Sequence, residues 1–284
     1  MTREYILKLS CPDTVGIVAA VSVFLSEHDC NIKDSAQFGD QETGLFFMRV
    51  RFVAQENAPS HEGLRRAFAE IAARYRMHWG IYDLREKSRV VILVSQHGHC
   101  LNDLLYHYRT GTLDVEIAAV ISNHPDFKDI TEWHGITFHY LPVSAKNREE
   151  QETAILDIIA ETRTDLVVLA RYMQILSENL CRTLEGRCIN IHHSFLPSFK
   201  GAHPYRQAHA RGVKIIGATA HYVTAQLDEG PIIEQGVERV DHAHSPEDFM
   251  ALGRDVESVV LTRAVRYHIE HRVLLNGCKT VILR

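Results

Sequence analysis

The 284-residue chain has no run of about 18 to 20 uncharged apolar residues, so nothing in it spans a bilayer as a helix. Its start, Met1-Thr2-Arg3-Glu4, leads straight into an alternating stretch with no apolar targeting segment, and a cytoplasmic location is expected. Cysteine is sparse and in no CxxC pair: Cys11, Cys30, Cys100, Cys181, Cys188 and Cys278 predict buried thiols, not disulfides or a zinc site. A cationic excess is missing as well. The balance is −1 over residues 1–87 (11 basic against 12 acidic) and −4 over 88–284 (20 against 24), which argues against a nucleic-acid partner. Low-complexity tracts and internal repeats are absent too. What remains, 45% apolar and 24% charged residues, is an ordinary globular composition sized for about two domains, with small molecules as the expected partners.

Histidine is abundant, with eighteen residues, of which only His28, His61 and His78 precede residue 88. The excess therefore belongs to the second part of the chain. His242-x-His244 and His268-x-x-His271 have no convergent carboxylate or cysteine spacing beside them, and no metal site is expected there.

Residues 1–87 alternate strand and helix signals. Tyr5, Leu7 and Leu9 have a strand period, and Ile17, Val21, Phe24 and Leu25 form a helical stripe, with Thr14 as the expected N-cap. Two strand-like runs, Asn31 to Phe38 and Leu45 to Phe52, flank a turn-rich stretch, followed by a second helix through Leu64, Phe68 and Ile71 and a last strand within 77–85. The order is ferredoxin-like βαββαβ. From Arg89 the strands become continuously apolar, at Val90 to Val94, Ile117 to Ile121 and Leu166 to Leu169, as in a doubly wound, mostly parallel, Rossmann-like α/β sheet covered on both faces. The predicted domains are thus 1–87 and 88–284.

Chemistry-bearing residues concentrate between 188 and 231. In Cys188-Ile189-Asn190-Ile191-His192 the strand period puts Asn190 and His192 on one face, with Cα atoms about 6.6 Å apart, both able to reach one small substrate atom. An Asn amide can stabilise an oxyanion, and an imidazole can move protons. Asp228, in the turn signal Asp228-Glu229-Gly230-Pro231, is a candidate for orienting His192. His193 and His221 are expected to be structural.

The run Asn190-Ile-His192-His-Ser194-Phe-Leu196-Pro197, with Lys200-Gly201-Ala202-His203-Pro204, Ile216-Gly217-Ala218-Thr219 and Leu227-Asp228-Glu-Gly230-Pro231, resembles the folate-dependent formyltransferase family over 88–284. Asp13-Thr14-Val15-Gly16-Ile17 resembles the opening of an ACT domain, an amino-acid-sensing module. An ACT domain fused to a formyltransferase-like domain is similar to the deformylase branch. That resemblance implies hydrolysis of 10-formyltetrahydrofolate to formate and tetrahydrofolate, the cleavage of a linear amide C–N bond, supplying formate for purine synthesis and balancing one-carbon folates. The alternative is formyl transfer to an undetermined acceptor, as in glycinamide ribonucleotide formyltransferases. Against it, Ser95-Gln96-His97-Gly98-His99-Cys100-Leu101 has one glycine where those enzymes carry a Gly-rich phosphate loop.

The resemblance makes Asn190, His192 and Asp228 the catalytic trio and puts the folate along Tyr172, Met173, Gln174, Ile175 and Leu176 and the loop holding Gly230. It implies no cofactor beyond the folate substrate. It also makes Asp13, Gly16 and Asn31 candidates for an amino-acid effector, methionine or glycine, in a homo-oligomer.

Overall fold

A computed structural model describes residues 3–196 and 204–284. The motif stretch from Pro197 to His203 lies outside the described residues. The chain forms two compact units, one up to Lys87 together with Glu270–Arg284, the other Ser88–Ile269.

In the first unit β1 (Arg3–Pro12), α1 (Ile17–Glu27), β2 (Cys30–Asp40), β3 (Leu45–Ala54), α2 (His61–Arg74) and β4 (His78–Asp83) follow the βαββαβ order. The antiparallel sheet runs β2-β3-β1-β4, with β2 at one edge. Alternation puts Tyr5, Leu7, Leu9, Met48, Val50 and Phe52 against Val21, Phe24, Leu64 and Phe68 of the helices. Helix α1 does not use Thr14 as its N-cap. It starts at Ile17 after Gly16, whose φ of 97° is a left-handed conformation open to glycine.

The second unit contains β5 (Ser88–Val94), α3 (His99–Arg109), β6 (Val115–Ser122), α4 (Lys128–Trp133), β7 (Thr137–Tyr140), α5 (Arg148–Glu161), β8 (Leu166–Leu169), α6 (Glu178–Thr183), β9 (Cys188–His192), α7 (Pro204–Ala210), β10 (Ile215–Tyr222), β11 (Ile232–Arg239) and α8 (Pro246–Ile269). Its sheet is ordered β11-β10-β9-β8-β5-β6-β7. Strands β5 to β9 are parallel, and β10 and β11 are antiparallel additions. The chain leaves β5 for β6 and β7 on one side and returns to β8 and β9 on the other. The carboxyl ends of β5 and β8 therefore flank the topological switch point, where open α/β sheets form their ligand crevice.

The C-terminal segment departs from the predicted 88–284 domain. After α8 the chain makes a hairpin, β12 (Val273–Asn276) and β13 (Lys279–Ile282), whose Leu274, with Leu283 just beyond, packs on Phe47 of β3. Arg49 Nε donates to the Glu270 carbonyl at 3.1 Å, and Asn276 Nδ2 donates to Asp40 at 2.7 Å. Phe47 and Arg49 alternate with Met48 and Val50, so they lie on the sheet face turned away from α1 and α2. The hairpin keeps that face dry and explains an arginine that is 3% exposed. Of the six cysteines five are buried and Cys278, in the hairpin turn, is exposed, which corrects the expectation for that residue. Among the described residues no helix is long and apolar enough to cross a membrane.

Truncating Leu274 to Ala should destabilise the hairpin by about 2–5 kcal/mol. Amide exchange should then accelerate in β12 and β13 while β5 to β9 keep their protection; unchanged exchange in the hairpin would refute this packing role.

Candidate active site

Strand β9 presents its two faces as the period of two requires. Ile189 and Ile191 are buried, and Asn190 and His192 are half-buried on the other side. Pairing with β10 puts His221 directly across from Asn190 and Thr219 across from His192. The loop after β9 is held by Thr219, whose Oγ1 donates to the Ser194 carbonyl and accepts from the Leu196 amide, both at 3.0 Å.

Asp228 arrives from the loop between β10 and β11. Its φ of 58° is a left-handed conformation that Asp tolerates better than most residues. Gly230, two residues on, lies so close to β10 that a Cβ there would be 1.7 Å from the Tyr222 carbonyl oxygen. Gly230 therefore shapes the loop and offers no side chain to a ligand. His221, paired with Asn190 across β9 and β10, lies on the same face and reaches the same place.

The carboxylate of Asp228 lies between two imidazoles, 3.2 Å from His192 Nδ1 and 3.7 Å from His221 Nε2. Burial pushes the Asp228 carboxyl upward, but the hydrogen bond from His192 outweighs it and holds it well below the usual carboxylate range. A carboxylate can only accept, so His192 carries its proton on Nδ1, and Nε2 offers a lone pair. That Nε2 is buried and has no hydrogen-bond partner among the described residues. His221 Nδ1 donates to the Tyr222 carbonyl at 2.9 Å, leaving its Nε2 to accept from Asn190 Nδ2 at 3.3 Å. One N–H of Asn190 is thereby used, and the second is aimed elsewhere. The result is a held base beside an oriented amide donor.

Asn190, His192 and Asp228 thus come together, and His221 joins them against the expectation that it is merely structural. Its place depends on the β9–β10 register, which leaves no mark at Ala218-Thr219-Ala220-His221 in the sequence. The proposed folate segment follows β8. Tyr172 is buried, and its hydroxyl accepts from Gln151 Nε2 at 2.9 Å, so its ring belongs to the core and not to a ligand surface. Met173 and Ile175 are exposed, Gln174 is half-buried, and Leu176 packs partly on the core. The Met173 amide donates to Ser95 Oγ at 3.0 Å, and the Ile175 carbonyl accepts from Arg148.

The candidate effector residues do not converge within one chain. Asp13 is near Gly39 at one end of the ACT-type sheet, its Oδ2 3.0 Å from where a Gly39 Cβ would be, and Gly16 follows it at the start of α1. Asn31 pairs with Val53 near the opposite end of β2, eight residues from Gly39, or about 27 Å at ~3.4 Å per residue. Among the described residues one cluster has metal-ligand geometry, His99, Cys100 and Glu257, and it is distinct from the Asp228 group.

Residues 88–265 match the formyl transferase family, and residues 5–67 match the ACT domain. The chain is therefore a formyl transferase family member that carries an ACT domain. A formyltetrahydrofolate deformylase of Corynebacterium sp. (strain P-1) is 49% identical over 281 residues, covering 99% of this chain and 98% of that one. The crystal structure of formyltetrahydrofolate deformylase from Burkholderia mallei superposes with a TM-score of 0.96 at 49% identity, covering 99% of this chain and 100% of that one. A glycinamide ribonucleotide transformylase of Symbiobacterium toebii matches with a TM-score of 0.66 at 30% identity, covering 72% of this chain and 97% of that one. Within the wider family, this chain belongs to the formyltetrahydrofolate deformylases.

Two tests follow from the geometry. Gly230→Ala should displace the Asp228 loop and lower turnover by about 100-fold or more, the cost of a misplaced reacting group, with little change in melting temperature. Burial, helped by the charge of Arg171, pushes the His193 imidazole down to about 4. The unfolded chain binds that proton at about 6.5, so it holds more protons than the folded chain between the two values. Stability should therefore fall as pH drops from about 6.5 to about 4, and His193→Gln should flatten that part of a denaturant-midpoint profile.

Proposed function

We propose that this protein hydrolyses 10-formyltetrahydrofolate to formate and tetrahydrofolate in the cytoplasm, with the folate as substrate and no resident cofactor. The observation that carries this reading is the His192 ring, tied through Nδ1 to Asp228 and, among the described residues, unpartnered at Nε2, beside an Asn190 amide with one N–H that no described residue takes.

Water adds to the formyl carbon and gives a proton to His192 Nε2. Asn190 donates to the oxygen as it becomes an oxyanion, a contact worth about 2.7–4 kcal/mol in comparable sites. The imidazolium formed is stabilised by the ionised Asp228, which keeps its negative charge because its pKa is held low. His192 then returns the proton to N10 as the C–N bond breaks. Water's oxygen remains in formate, its hydrogen replaces the formyl group on N10, and no acyl-enzyme forms. The folate lies along Met173 to Leu176 and the Asp228 loop, with main-chain groups reading the pterin edge. Tyr172 and Gly230 support this surface from beneath.

The first unit is proposed to sense an amino acid, methionine or glycine, in a homo-oligomer. Because Asp13 lies beside Gly39 at one end of β2 and Asn31 is near the other, one copy does not assemble the site alone. Antiparallel pairing of two β2 edges centred near Ser35 carries Asn31 of one copy toward the Asp13–Gly39 end of the other.

Incubation with 10-formyltetrahydrofolate and no acceptor should release formate, and Asp228→Asn should fold normally while losing about 10⁴-fold in turnover, as when a triad carboxylate is neutralised. Formate release by Asp228→Asn at the wild-type rate would sink the assignment. Calorimetry should show methionine or glycine binding that weakens on dilution to monomer. Absence of heat with either amino acid would leave the ACT domain a purely structural role.

A further inference from the structure

The crevice at the switch point is occupied by protein. At the carboxyl ends of β5 and β8, Glu257 of α8, 1% exposed, takes three partners at once. His99 Nε2 is 2.7 Å from Oε2, the Tyr205 hydroxyl donates to Oε1 at 2.7 Å, and Arg171 Nε is 3.4 Å from Oε2. Each partner comes from a different element: His99 begins α3, Arg171 follows β8, and Tyr205 is on α7.

Several features mark this as a built arrangement. Arg171 has a φ of 64°, in the left-handed region that a non-glycine residue occupies only when its surroundings over-determine it. Its carbonyl accepts from the Ser95 amide at 3.3 Å, fixing the turn beside β5. Tyr205 lies against α8 at Gly253, where a Cβ would be 2.2 Å from its ring, so the helix is notched to receive the tyrosine. The preceding loop does not form an anion nest. Gly98 has a φ of −95°, and a Cβ there would be 2.3 Å from the Phe127 ring, so this glycine serves packing and not a left-handed turn. The cluster is also poorly disposed toward a cation. Arg171 places a fixed positive charge against the one carboxylate, and burial pushes the Cys100 thiol up, keeping it protonated.

The cluster adjoins the proposed reaction centre. The His193 ring is 5.0 Å from that of His192 and 6.3 Å from that of Tyr205, and its charge environment includes both Arg171 and Glu257. We infer that Arg171, Glu257, His99 and Tyr205 are specificity-determining residues that fill the approach an amine acceptor needs to reach the formyl carbon and leave it open to water. This rests on the hydrolase reading. Hydrolysis then follows from which nucleophile fits, since the same Asn190, His192 and Asp228 would serve transfer. In transfer the amine nitrogen attacks the formyl carbon, the C–N10 bond breaks, and the proton lost by the amine passes through His192 to N10.

The test is the partition of the formyl group. The full chain is incubated with 10-formyltetrahydrofolate and an excess of glycinamide, and formate and N-formylglycinamide are quantified by mass spectrometry. Wild type should give formate almost alone. In Arg171→Gly, which suits the positive φ, and in Tyr205→Ala, the share of formyl group captured by glycinamide should rise about tenfold or more, with the folate KM within about twofold of wild type. His99→Ala, a smaller change, gives the same reading if either of those fails to fold. An unchanged partition in folded variants that still release formate overturns the inference, as does a wild type that transfers to glycinamide as readily as they do. Failure of wild type to release formate in the absence of glycinamide is a separate result and refutes the hydrolase reading itself.

Discussion

The contact on which the site depends is that of the Asp228 carboxylate with His192. A charged carboxylate that is partly removed from water stays ionised only if hydrogen bonds or opposite charge compensate for lost solvation, and the His192 N–H supplies that compensation. The same contact fixes the His192 tautomer and aims Nε2 away from the loop. An imidazole without such a partner would sample both tautomers and more than one ring orientation. Backbone features of the surrounding strands and loop serve this one arrangement: the left-handed turn at Asp228, the close approach of Gly230 to Tyr222, and the pairing of His221 with Asn190.

A second charged group, around Glu257, has the opposite character. Among the described residues the Asp228 group leaves a nitrogen and an amide hydrogen without a partner, the valences the proposed chemistry uses. The Glu257 group joins residues of four elements and uses its carboxylate fully in doing so. Buried ionic groups of this kind are costly to desolvate and are weak evidence for stability. The inferred role at the switch point gives the Glu257 group a function that stability alone does not. On the proposed reading, the chemistry resides at the end of β9, and the choice of nucleophile in what stands at the ends of β5 and β8.

Much of the architecture was legible from periodicity. The alternation in Tyr5 to Leu9 and the uninterrupted apolar runs of Val90 to Val94 and Leu166 to Leu169 each report local burial, which side-chain pattern records directly. Strands β10 and β11 were less visible because their alternation is interrupted by motif residues and a bulge. The C-terminal hairpin was hidden because four-residue strands carry almost no periodic signal, and its partner, Phe47, is more than 200 residues away. Tyr172 is expected to face the ligand because the family resemblance puts the folate along its segment; only packing against Gln151 shows that its ring turns inward.

From the sequence alone came the two-domain plan, the common face of Asn190 and His192, and the candidacy of Asp228, all consequences of spacing along one strand or of residue types in one short stretch. Tertiary structure decided the rest. It recruited His221 through strand register, gathered Arg171, His99, Tyr205 and Glu257 from separate elements into one buried group, drew Glu270–Arg284 to the first unit, and separated Asp13 from Asn31. Each of these depends on which distant segments share a volume. That is set by the packing of whole elements against one another, and no local pattern of residues encodes it.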